Sequence, residues 1–433
     1  MKSLTLSLTI SLSVCLALPI VAVAQQIAPT LTPVFGLGFG CNEIVASDGI
    51  HSFGSTSCDN PAATTFSYTG DGIEADWSGD VGSTYISSCG VRNSDGSYSP
   101  FGEPILPFSC DGSWIVGGLN YIYHNGTFFN GSVGVDTRWY NVMSNPRGDA
   151  FVLGTTASGT VIAKFRGSDN HRVLIKSGVP GGSMARDKGG NIYLAEGNLL
   201  KKFAPNLSKL LYSRRFTSVS IKSMFTDAFN QLYLVGTTSS PLFRALYAPQ
   251  PAFGGETDGF LIALTADGQR IIYSSFIGGT GGETAAGMSV DVDGNVFVAG
   301  TDLSFAWDGR PDPCDIGDAN CSEGLYVARF SAFRNSRMPS KIDFGSRNIG
   351  TTTLKKILLT NLGNAPLAVS KVQLSNAEYT QTNTCSAPVA PDKTCTISVL
   401  FKPVSGGEHR GTIVVVSDSI RSPQKVRLMG SSH

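Results

Sequence analysis

A short phrase that recurs along the chain constrains the fold more than any other feature. DKGGNIYLAEG at residues 187–197 returns as DVDGNVFVAG at residues 291–300, with looser copies between and before them. Each copy joins a small turn to an apolar strand, and repetition of one such unit is typical of radial or solenoidal arrays. The sequence therefore predicts a repeat fold built from strands.

The spacing of the copies gives the length of one repeat. The turn positions of the copies are Gly112, Gly148, Gly190, Asn230 and Gly294. The steps between them are 36, 42, 40 and 64 residues, and about 40 residues make one four-stranded propeller blade. Two more strand-like phrases accompany the later turns, so we expect four strands per unit. The longest step contains an insertion between Ser239 and Gly259.

These units predict an all-β chain whose first domain is a β-propeller. Five units are visible, and the propeller repeats are expected over residues 111–332. Residues 25–110 form an N-terminal segment with four cysteines and no clear copy of the phrase. A sixth and a seventh blade can come from residues 35–110.

The insertion and its surroundings resemble a known family. The stretch VGTTSSPLFRALYAPQPAFGGETDGFLIALTADGQRIIYSSFIGG and its continuation to Thr301 are similar to the bacterial β-propeller repeat called SBBP. Proteins with this repeat are exported or lie at the cell surface. The resemblance implies a propeller in an extracellular setting.

The repeated phrases end at Phe330, and a polar stretch follows. This stretch predicts a linker over residues 333–339. Residues 340–433 contain short alternating strands with turn signals at close intervals, which is typical of an immunoglobulin-like sandwich. The domain resembles the Hydin-type (ASH, or choice-of-anchor D) family. The motifs that carry the resemblance are Asp343-Phe344-Gly345, Asn361 to Gly363, Cys395-Thr396-Ile397, Phe401-Lys402-Pro403 and Gly411-Thr412-Ile413.

The first 24 residues have the features of a cleaved signal peptide. Lys2 precedes an apolar run, and Ala22 and Ala24 supply the small residues that signal peptidase needs. A retained membrane anchor is the alternative. With cleavage we expect no transmembrane helix and a secreted, periplasmic or cell-surface protein.

The cysteines also indicate an oxidising compartment, since eight of the nine lie beyond the signal peptide. We predict two local disulfides, Cys314–Cys321 and Cys385–Cys395. Three pairings are open for Cys41, Cys58, Cys89 and Cys110, of which we favour Cys41–Cys58 with Cys89–Cys110. No C-x-x-C motif occurs and the five histidines are scattered, so no metal site or cofactor is expected.

The charge balance argues against nucleic acid as a partner. Lys and Arg total 33, and Asp and Glu total 33, whereas phosphate backbones demand a basic surface. One local basic cluster comprises Lys201, Lys202, Lys209, Arg214, Arg215 and Lys222. We interpret it as a solvated face rather than an anion site.

The Asp-rich turns allow two interpretations. Asp291-Val-Asp293-Gly294-Asn295 resembles the start of a calcium loop, but the glutamate and helices of an EF-hand are missing. A hairpin turn with Gly or Asn at positive φ explains the phrase better.

Acidic residues leave an enzymatic alternative open, namely a polysaccharide hydrolase or lyase with acids from several blades in the central channel. The densest acids are Asp71, Glu74, Asp76 and Asp80, beside Trp77. The alternative requires several acids to share one pocket with raised pKa values. The candidates are Asp71, Asp76, Asp111, Asp149, Asp187 and Asp291.

Aromatic residues concentrate in one early blade and predict its contact surface. We expect Trp114, Tyr121, Tyr123 and Trp139 to bind an extracellular carbohydrate or protein, because aromatic faces stack on sugars and on partner side chains. Packing between blades is the competing interpretation. The sequence thus favours a non-enzymatic binding or scaffold protein.

Overall fold

The repeated phrase forms the first hairpin of successive four-stranded antiparallel sheets. In the copy at residues 187–197, the turn joins strands Ser183–Arg186 and Ile192–Glu196. The turn position has a positive φ in each described copy, at 77° for Gly148, 80° for Gly190, 62° for Asn230 and 87° for Gly294. The prediction of a hairpin turn with Gly or Asn at positive φ is confirmed.

The computed structural model describes residues 31–38, 42–47, 52–56, 64–69, 72–76, 114–116, 121–124, 127–133, 137–145, 147–285, 287–290, 293–302 and 324–433. For residues 31–116, and for some later strand positions, this description covers strands and their pairing but not side chains. All regular elements in these ranges are strands, as the predicted all-β class requires.

Nine strands lead from the N-terminal segment into the repeats. They are β1 Leu31–Gly38, β2 Asn42–Ser47, β3 Ser52–Thr56, β4 Thr64–Thr69, β5 Gly72–Asp76, β6 Trp114–Val116, β7 Tyr121–His124, β8 Thr127–Asn130 and β9 Arg138–Ser144. Strands β2 to β5 form one sheet and β6 to β8 form a three-stranded sheet. We call these sheets blade 1 and blade 2.

The next eleven strands, with β9, build three complete blades. They are β10 Ala150–Thr156, β11 Gly159–Phe165, β12 Arg172–Ser177, β13 Ser183–Arg186, β14 Ile192–Glu196, β15 Leu199–Phe203, β16 Leu210–Arg215, β17 Ser220–Thr226, β18 Leu232–Thr238, β19 Asp258–Leu264 and β20 Ile271–Ile277. Blades 3, 4 and 5 are β9–β12, β13–β16 and β17–β20. The predicted insertion lies between β18 and β19 of blade 5.

The last blade is completed by the first strand of the chain. Strands β21 Gly287–Val290, β22 Val296–Asp302 and β23 Gly324–Phe330 pair in order, and β1 pairs antiparallel with β23 from Leu31↔Phe330 to Gly38↔Gly324. This pairing joins the two ends of the repeat array in one sheet, which we call blade 6, and β1 is the edge strand beside β23.

The six sheets formed by the described residues up to Phe330 follow one another as the blades of a propeller. Their innermost strands contact in the order β6, β9, β13, β17, β21 and β2. Buried apolar clusters fill the spaces between neighbouring blades, for example between blades 5 and 6 around Tyr233, Tyr273 and Phe330. The N-terminal segment thus supplies one further blade and the closing strand.

The C-terminal domain is a sandwich of two four-stranded sheets. Its strands are β24 Ser336–Arg337, β25 Lys341–Arg347, β26 Thr353–Asn361, β27 Val369–Leu374, β28 Tyr379–Asn383, β29 Thr394–Phe401, β30 Gly407–Ser417 and β31 Gln424–Ser432. One sheet has the order β24-β26-β29-β28 and the other β25-β31-β30-β27. Phe344, Tyr379 and Phe401 form its aromatic core.

The predicted Cys385–Cys395 disulfide is present inside this core. The other six cysteines considered for pairing, namely Cys41, Cys58, Cys89, Cys110, Cys314 and Cys321, lie outside the described residues. The expected signal peptide, residues 1–24, also lies outside them.

Residues 333–339, predicted as a linker, instead belong to the packed structure. Phe333 is 1% exposed, and its ring centroid lies 5.1 Å from that of Tyr247 and 5.7 Å from that of Tyr273 in the propeller. Ser336 is fully buried and pairs with Asn361 as part of β24. Of the polar residues in this segment, Ser336 is buried and hydrogen-bonded to Ser419 and Gln424, whereas Arg337 is exposed.

Candidate functional site

The aspartates of the repeated turns accept hydrogen bonds from backbone N–H groups of the same turns. Asp187 Oδ1 accepts the backbone N–H of Asn191 at 2.9 Å. Asp227 Oδ1 likewise accepts the N–H groups of Phe229 at 2.8 Å and Gln231 at 2.9 Å. Short acidic side chains satisfy backbone donors in this way in many tight turns. These carboxylates therefore have a local structural task.

Two acids considered for an enzymatic channel also form ion pairs. Asp149 Oδ2 lies 2.7 Å from Lys164 Nζ, and Asp187 Oδ2 lies 2.9 Å from Lys202 Nζ. Burial acts to raise the pKa of each carboxyl, but hydrogen bonds and the paired lysine outweigh it and lower the pKa. A catalytic acid needs a raised pKa. Neither residue has the property that the enzymatic alternative requires.

The other acids proposed for that channel cannot be placed against one another. Asp71, Asp80, Asp111 and Asp291 lie outside the described residues, as does Trp77. Glu74 and Asp76 occupy positions in β5, where the structure describes only the strand. The enzymatic alternative therefore receives no support from the described acids of the predicted set.

The early aromatic residues lie on the strands of blade 2 and on β9. Trp114 of β6 is opposite His124 of β7, and Tyr121 and Tyr123 occupy alternate positions of β7. The side chains of these three aromatics are outside the described part of the structure.

The fourth member of this set, Trp139, has a different environment. Its side chain is 1% exposed, and its ring meets that of Phe165 edge-on at a centroid distance of 6.2 Å. Ile122 joins the same buried cluster. Because a buried ring is inaccessible to a partner, Trp139 is a packing residue and not part of the predicted contact surface.

The basic cluster, which lies on blade 4 and on the first strand of blade 5, divides into exposed and buried residues. Lys209, Arg215 and Lys222 are exposed, in agreement with a solvated face. Lys202 is 8% exposed, pairs with Asp187, and lies 4.6 Å from the centre of the Tyr193 ring. The buried part of the cluster stabilises the blade.

Arg214 connects this cluster to the next blade. Its guanidinium donates to the carbonyl of Gly268 at 2.7 Å, in the turn between β19 and β20 of blade 5. It also lies 4.8 Å from the centre of the Phe216 ring. Arg214 therefore joins blades 4 and 5 instead of binding an external anion.

The sequence analysis did not predict a pair of buried carboxyls beside blade 5. Asp258 and Glu283 are both 0% exposed. A Cβ atom placed on Gly278 would lie 2.7 Å from Glu283 Oε2 and 2.9 Å from Asp258 Oδ1, so the two carboxyls border one glycine. Each acid follows a glycine-rich stretch, GGETD and GGTGGE, and this resemblance is the one signal that could have identified them.

Backbone hydrogen bonds hold the two glycine-rich segments together. Glu283 donates its N–H to the carbonyl of Thr257 at 2.8 Å, and Asp258 Oδ2 accepts the N–H of Gly254 at 3.0 Å. Burial raises the pKa of Asp258 to about 6, and the nearby Glu283 carboxylate adds to the rise. The pair therefore makes this part of blade 5 sensitive to pH.

The junction between the domains is a second feature that sequence reasoning missed. Asn364, in the loop after β26, is fully buried. Its amide donates to the Tyr233 hydroxyl at 3.2 Å and to the Gly294 carbonyl at 2.8 Å, and its Oδ1 accepts the N–H of Phe333 at 2.7 Å. One side chain thus connects blade 5, blade 6 and the start of the sandwich.

Further contacts surround Asn364. Arg270 of blade 5 donates to the Leu362 carbonyl at 3.0 Å and pairs with Asp392 at 2.8 Å. Gln231, which is fully buried, donates to the Gly363 carbonyl at 3.2 Å. The sandwich is therefore docked on the turns of blades 5 and 6 through polar groups with specific partners.

A buried carboxyl lies behind this junction. Asp227 Oδ2 accepts the hydroxyl hydrogen of Tyr233 at 3.0 Å, and that hydroxyl accepts from Asn364. Burial raises the pKa of Asp227 to about 6, although the N–H groups of Gln231 and Phe229 act to lower it. The junction is thus linked to the turn that begins at Asp227.

The described residues hold neither a candidate metal cluster nor a candidate membrane-spanning helix. No cluster of three or more His, Cys, Asp or Glu side chains suited to a metal ion occurs among them. In the same part of the chain, no helix has the length and apolar character needed to cross a membrane.

The chain is similar to several solved structures at low sequence identity. The WD40 domain of Neurospora crassa Pan2 is 8% identical with a TM-score of 0.43, covering 70% of this chain and 96% of its own. PorZ, a surface component of the type-IX secretion system of Porphyromonas gingivalis, is 13% identical with a TM-score of 0.37, covering 90% of this chain and 51% of its own. No curated protein sequence matches the chain.

The C-terminal domain has its own comparisons. The ASH / PapD-like domain 7 of human CEP192 is 14% identical with a TM-score of 0.19, covering 23% of this chain and 85% of its own. Residues 331–425 match the family model ASH, described as abnormal spindle-like microcephaly-associated, ASPM-SPD-2-Hydin, so the sandwich at the end of this propeller chain is an ASH-family domain.

Proposed function

We propose that this protein is an exported binding scaffold in which the propeller and the ASH sandwich act as one rigid frame. The observation that carries the proposal is the buried Asn364, whose side chain joins two blades and the sandwich. A preorganised frame loses little conformational freedom when a partner binds, and this favours affinity. Among the described acids, those in turns and ion pairs serve the frame and leave binding as the favoured role.

The export of the chain is part of the same proposal. The Cys385–Cys395 disulfide is suited to an oxidising compartment, and the first 24 residues have the pattern of a signal peptide. We place the mature protein in the periplasm, at the cell surface or in the medium. We further assign the blades to the SBBP type of repeat, on the sequence resemblance around the blade 5 insertion.

We place a binding surface for an extracellular carbohydrate or protein on blade 2. Tyr121 and Tyr123 support this choice, because they occupy alternate positions of one strand, whereas Trp114 is opposite His124 in the register. Aromatic side chains with a polar end are common at the centre of binding surfaces. Trp139, being buried, serves the frame beneath them.

The test is a binding screen of the full chain against a glycan array and a panel of extracellular proteins. For any ligand found, Tyr121→Ala and Tyr123→Ala should each weaken binding by about 1–3 kcal/mol with little change in melting temperature. Trp139→Ala is the matched control, and it should destabilise the fold by about 3–5 kcal/mol. Tyrosine variants that lower the melting temperature and leave affinity unchanged would assign blade 2 to packing.

A further inference from the structure

The outer face of the first sandwich sheet exposes three leucines. Leu354 and Leu358 of β26 are 51% and 50% exposed, and Leu400 of β29 is 36% exposed. Leu354 lies directly opposite Leu400 in the register. Side chains opposite each other in a sheet share a face, so the three leucines form one patch.

The charged residues on this face are both positive. Lys356 lies between the two leucines of β26, and Arg337 of β24 is opposite Thr360 on the same face. The remaining outward positions of the sheet are uncharged, namely Thr360, Thr380, Thr382, Thr394, Thr396 and Ser398. We call the surface formed by Leu354, Leu358, Leu400, Lys356 and Arg337 the leucine face.

The carboxylate of Glu378, at the edge of this sheet, is already engaged. Glu378 precedes β28, where its Oε2 lies 2.5 Å from His409 Nδ1 and its Oε1 accepts the N–H of Val404 at 3.0 Å. The leucine face therefore combines apolar area with uncompensated positive charge. A complementary surface must be apolar and acidic.

The position of the face leaves it accessible. The sandwich docks on the propeller through Leu362 and Asn364, which follow the end of β26, whereas Leu354 lies near the start of that strand. At about 3.3 Å per residue, the start and end of the strand are roughly 25 Å apart. The frame thus presents the leucine face at a distance from its own junction.

Three kinds of occupant fit less well than a protein segment. A second copy would bring Lys356 and Arg337 close to identical charges, which is unfavourable. Lipid surfaces are commonly anchored by aromatic side chains, and carbohydrates stack on them, but no outward position of this sheet is aromatic. The flat face of leucines, hydroxyls and two cations suits a peptide with apolar and acidic side chains.

We propose that the leucine face binds an extended segment of a partner protein in which apolar and acidic side chains follow one another at every second residue, on one face of the segment. Such a segment would place its apolar side chains on Leu354, Leu358 and Leu400 and its carboxylates beside Lys356 and Arg337. This site is separate from blade 2 and goes beyond the binding function proposed there.

The experiment measures anisotropy of a short fluorescent peptide that repeats Leu-Ser-Glu-Ser, titrated with the full chain, beside a counterpart that repeats Leu-Ser-Lys-Ser. We call them the Leu-Glu peptide and the Leu-Lys peptide. The Leu-Glu peptide should bind, and the Leu-Lys peptide should bind at least about tenfold more weakly. The double variant Leu354→Ser, Leu358→Ser should lose at least about tenfold in affinity for the Leu-Glu peptide. Leu242→Ser, at a leucine 74% exposed in the blade 5 insertion, is the matched control and should bind normally.

Charge reversal provides the sharpest comparison. Lys356→Glu should weaken binding of the Leu-Glu peptide and strengthen binding of the Leu-Lys peptide. Melting temperatures close to that of the unmodified chain would show that the variants fold. Equal binding by all variants, or no binding of the Leu-Glu peptide, would overturn the proposal.

Two further readouts address the other occupants. If the double leucine variant abolishes binding to phosphatidylglycerol vesicles while the Leu-Glu peptide fails to bind, the face is a lipid surface and the proposal is wrong. If the same variant abolishes self-association in sedimentation while the peptide fails to bind, the face is an interface between copies, and the proposal is again wrong.

Discussion

The pKa values of individual aspartates in this protein depend on the groups that surround them. Asp149 and Asp187 each have a lysine within 3 Å, and their pKa values are lowered. Asp227 and Asp258 lack such a cation, and burial raises the pKa of both to about 6. The two groups therefore respond oppositely to acid, and the second group titrates within the physiological range.

The pH dependence of Asp258 gives the first prediction at this scale. Since its folded pKa is about 6 against an ordinary 3.8, its protonation favours the folded state. That stabilisation is complete below the ordinary pKa and is lost as pH rises through 6. Asp258→Asn stays uncharged, so relative to the unmodified chain it should gain roughly 1–3 kcal/mol between pH 4 and pH 7.

Urea unfolding at several pH values measures this difference. Asp267→Asn is the matched control, because the hydrogen bond from Thr265 lowers the pKa of Asp267. The control variant should show no such gain over the same pH range. A difference between Asp258→Asn and the unmodified chain that stays constant with pH would contradict the assignment of a raised pKa.

The sequence predicted the residues of the turns better than those of the buried sites. Gly190 and Asn230 were identified because few residue types adopt positive φ, so the local sequence carries the information. Asp258 and Glu283 meet through packing between segments 25 residues apart, which no local pattern specifies. The burial of Trp139 was missed because aromatic residues serve both cores and contact surfaces.

At the scale of elements, the repeated hairpin sets the geometry of each blade. An acid or Asn opens the turn, and three positions later the chain takes a positive φ. The order of strands within a blade was therefore predictable from the phrase. The pairing of β1 with β23 was not, because it joins residues almost at opposite ends of the propeller and has no local signal.

The cost of altering a turn can be predicted at this scale. Gly190 has a φ of 80°, and a Cβ atom there would lie 3.5 Å from Pro205, which is an ordinary contact. Gly190→Ala should therefore destabilise blade 4 by about 1–2 kcal/mol through backbone conformation alone. Chemical denaturation measures the effect, with the exposed Lys188→Ala expected to stay within about 0.5 kcal/mol. Equal effects of both substitutions would show that the turn is not constrained.

At the scale of the whole molecule, the arrangement depends on the junction between propeller and sandwich. The sequence predicted both domains because each has its own strand pattern. It failed at residues 333–339, because polar composition alone does not distinguish an exposed linker from a segment with buried hydrogen bonds. Phe333 and Asn364 are 31 residues apart in the chain, and no local pattern specifies the hydrogen bond between them.

Removal of the Asn364 side chain should make the junction between the propeller and the sandwich less rigid. Asn364→Ala would leave the Tyr233 hydroxyl, the Gly294 carbonyl and the Phe333 N–H without that buried partner, each at a cost of about 1–3 kcal/mol. Asn361→Ala is the matched control. Asn361 is equally buried, but its side chain bonds only to Gly363, Ala365 and Val389 of the sandwich itself among the described residues.

The central claim, that the two domains form one rigid frame, is tested most directly by a pulsed electron paramagnetic resonance distance measurement. Spin labels carried by non-natural amino acids would replace Ser158, exposed on blade 3, and Val404, 71% exposed on the sandwich. We predict a single narrow distance distribution for the otherwise unmodified chain and for Asn361→Ala, and a broad distribution for Asn364→Ala. A broad distribution in the otherwise unmodified chain would contradict the claim.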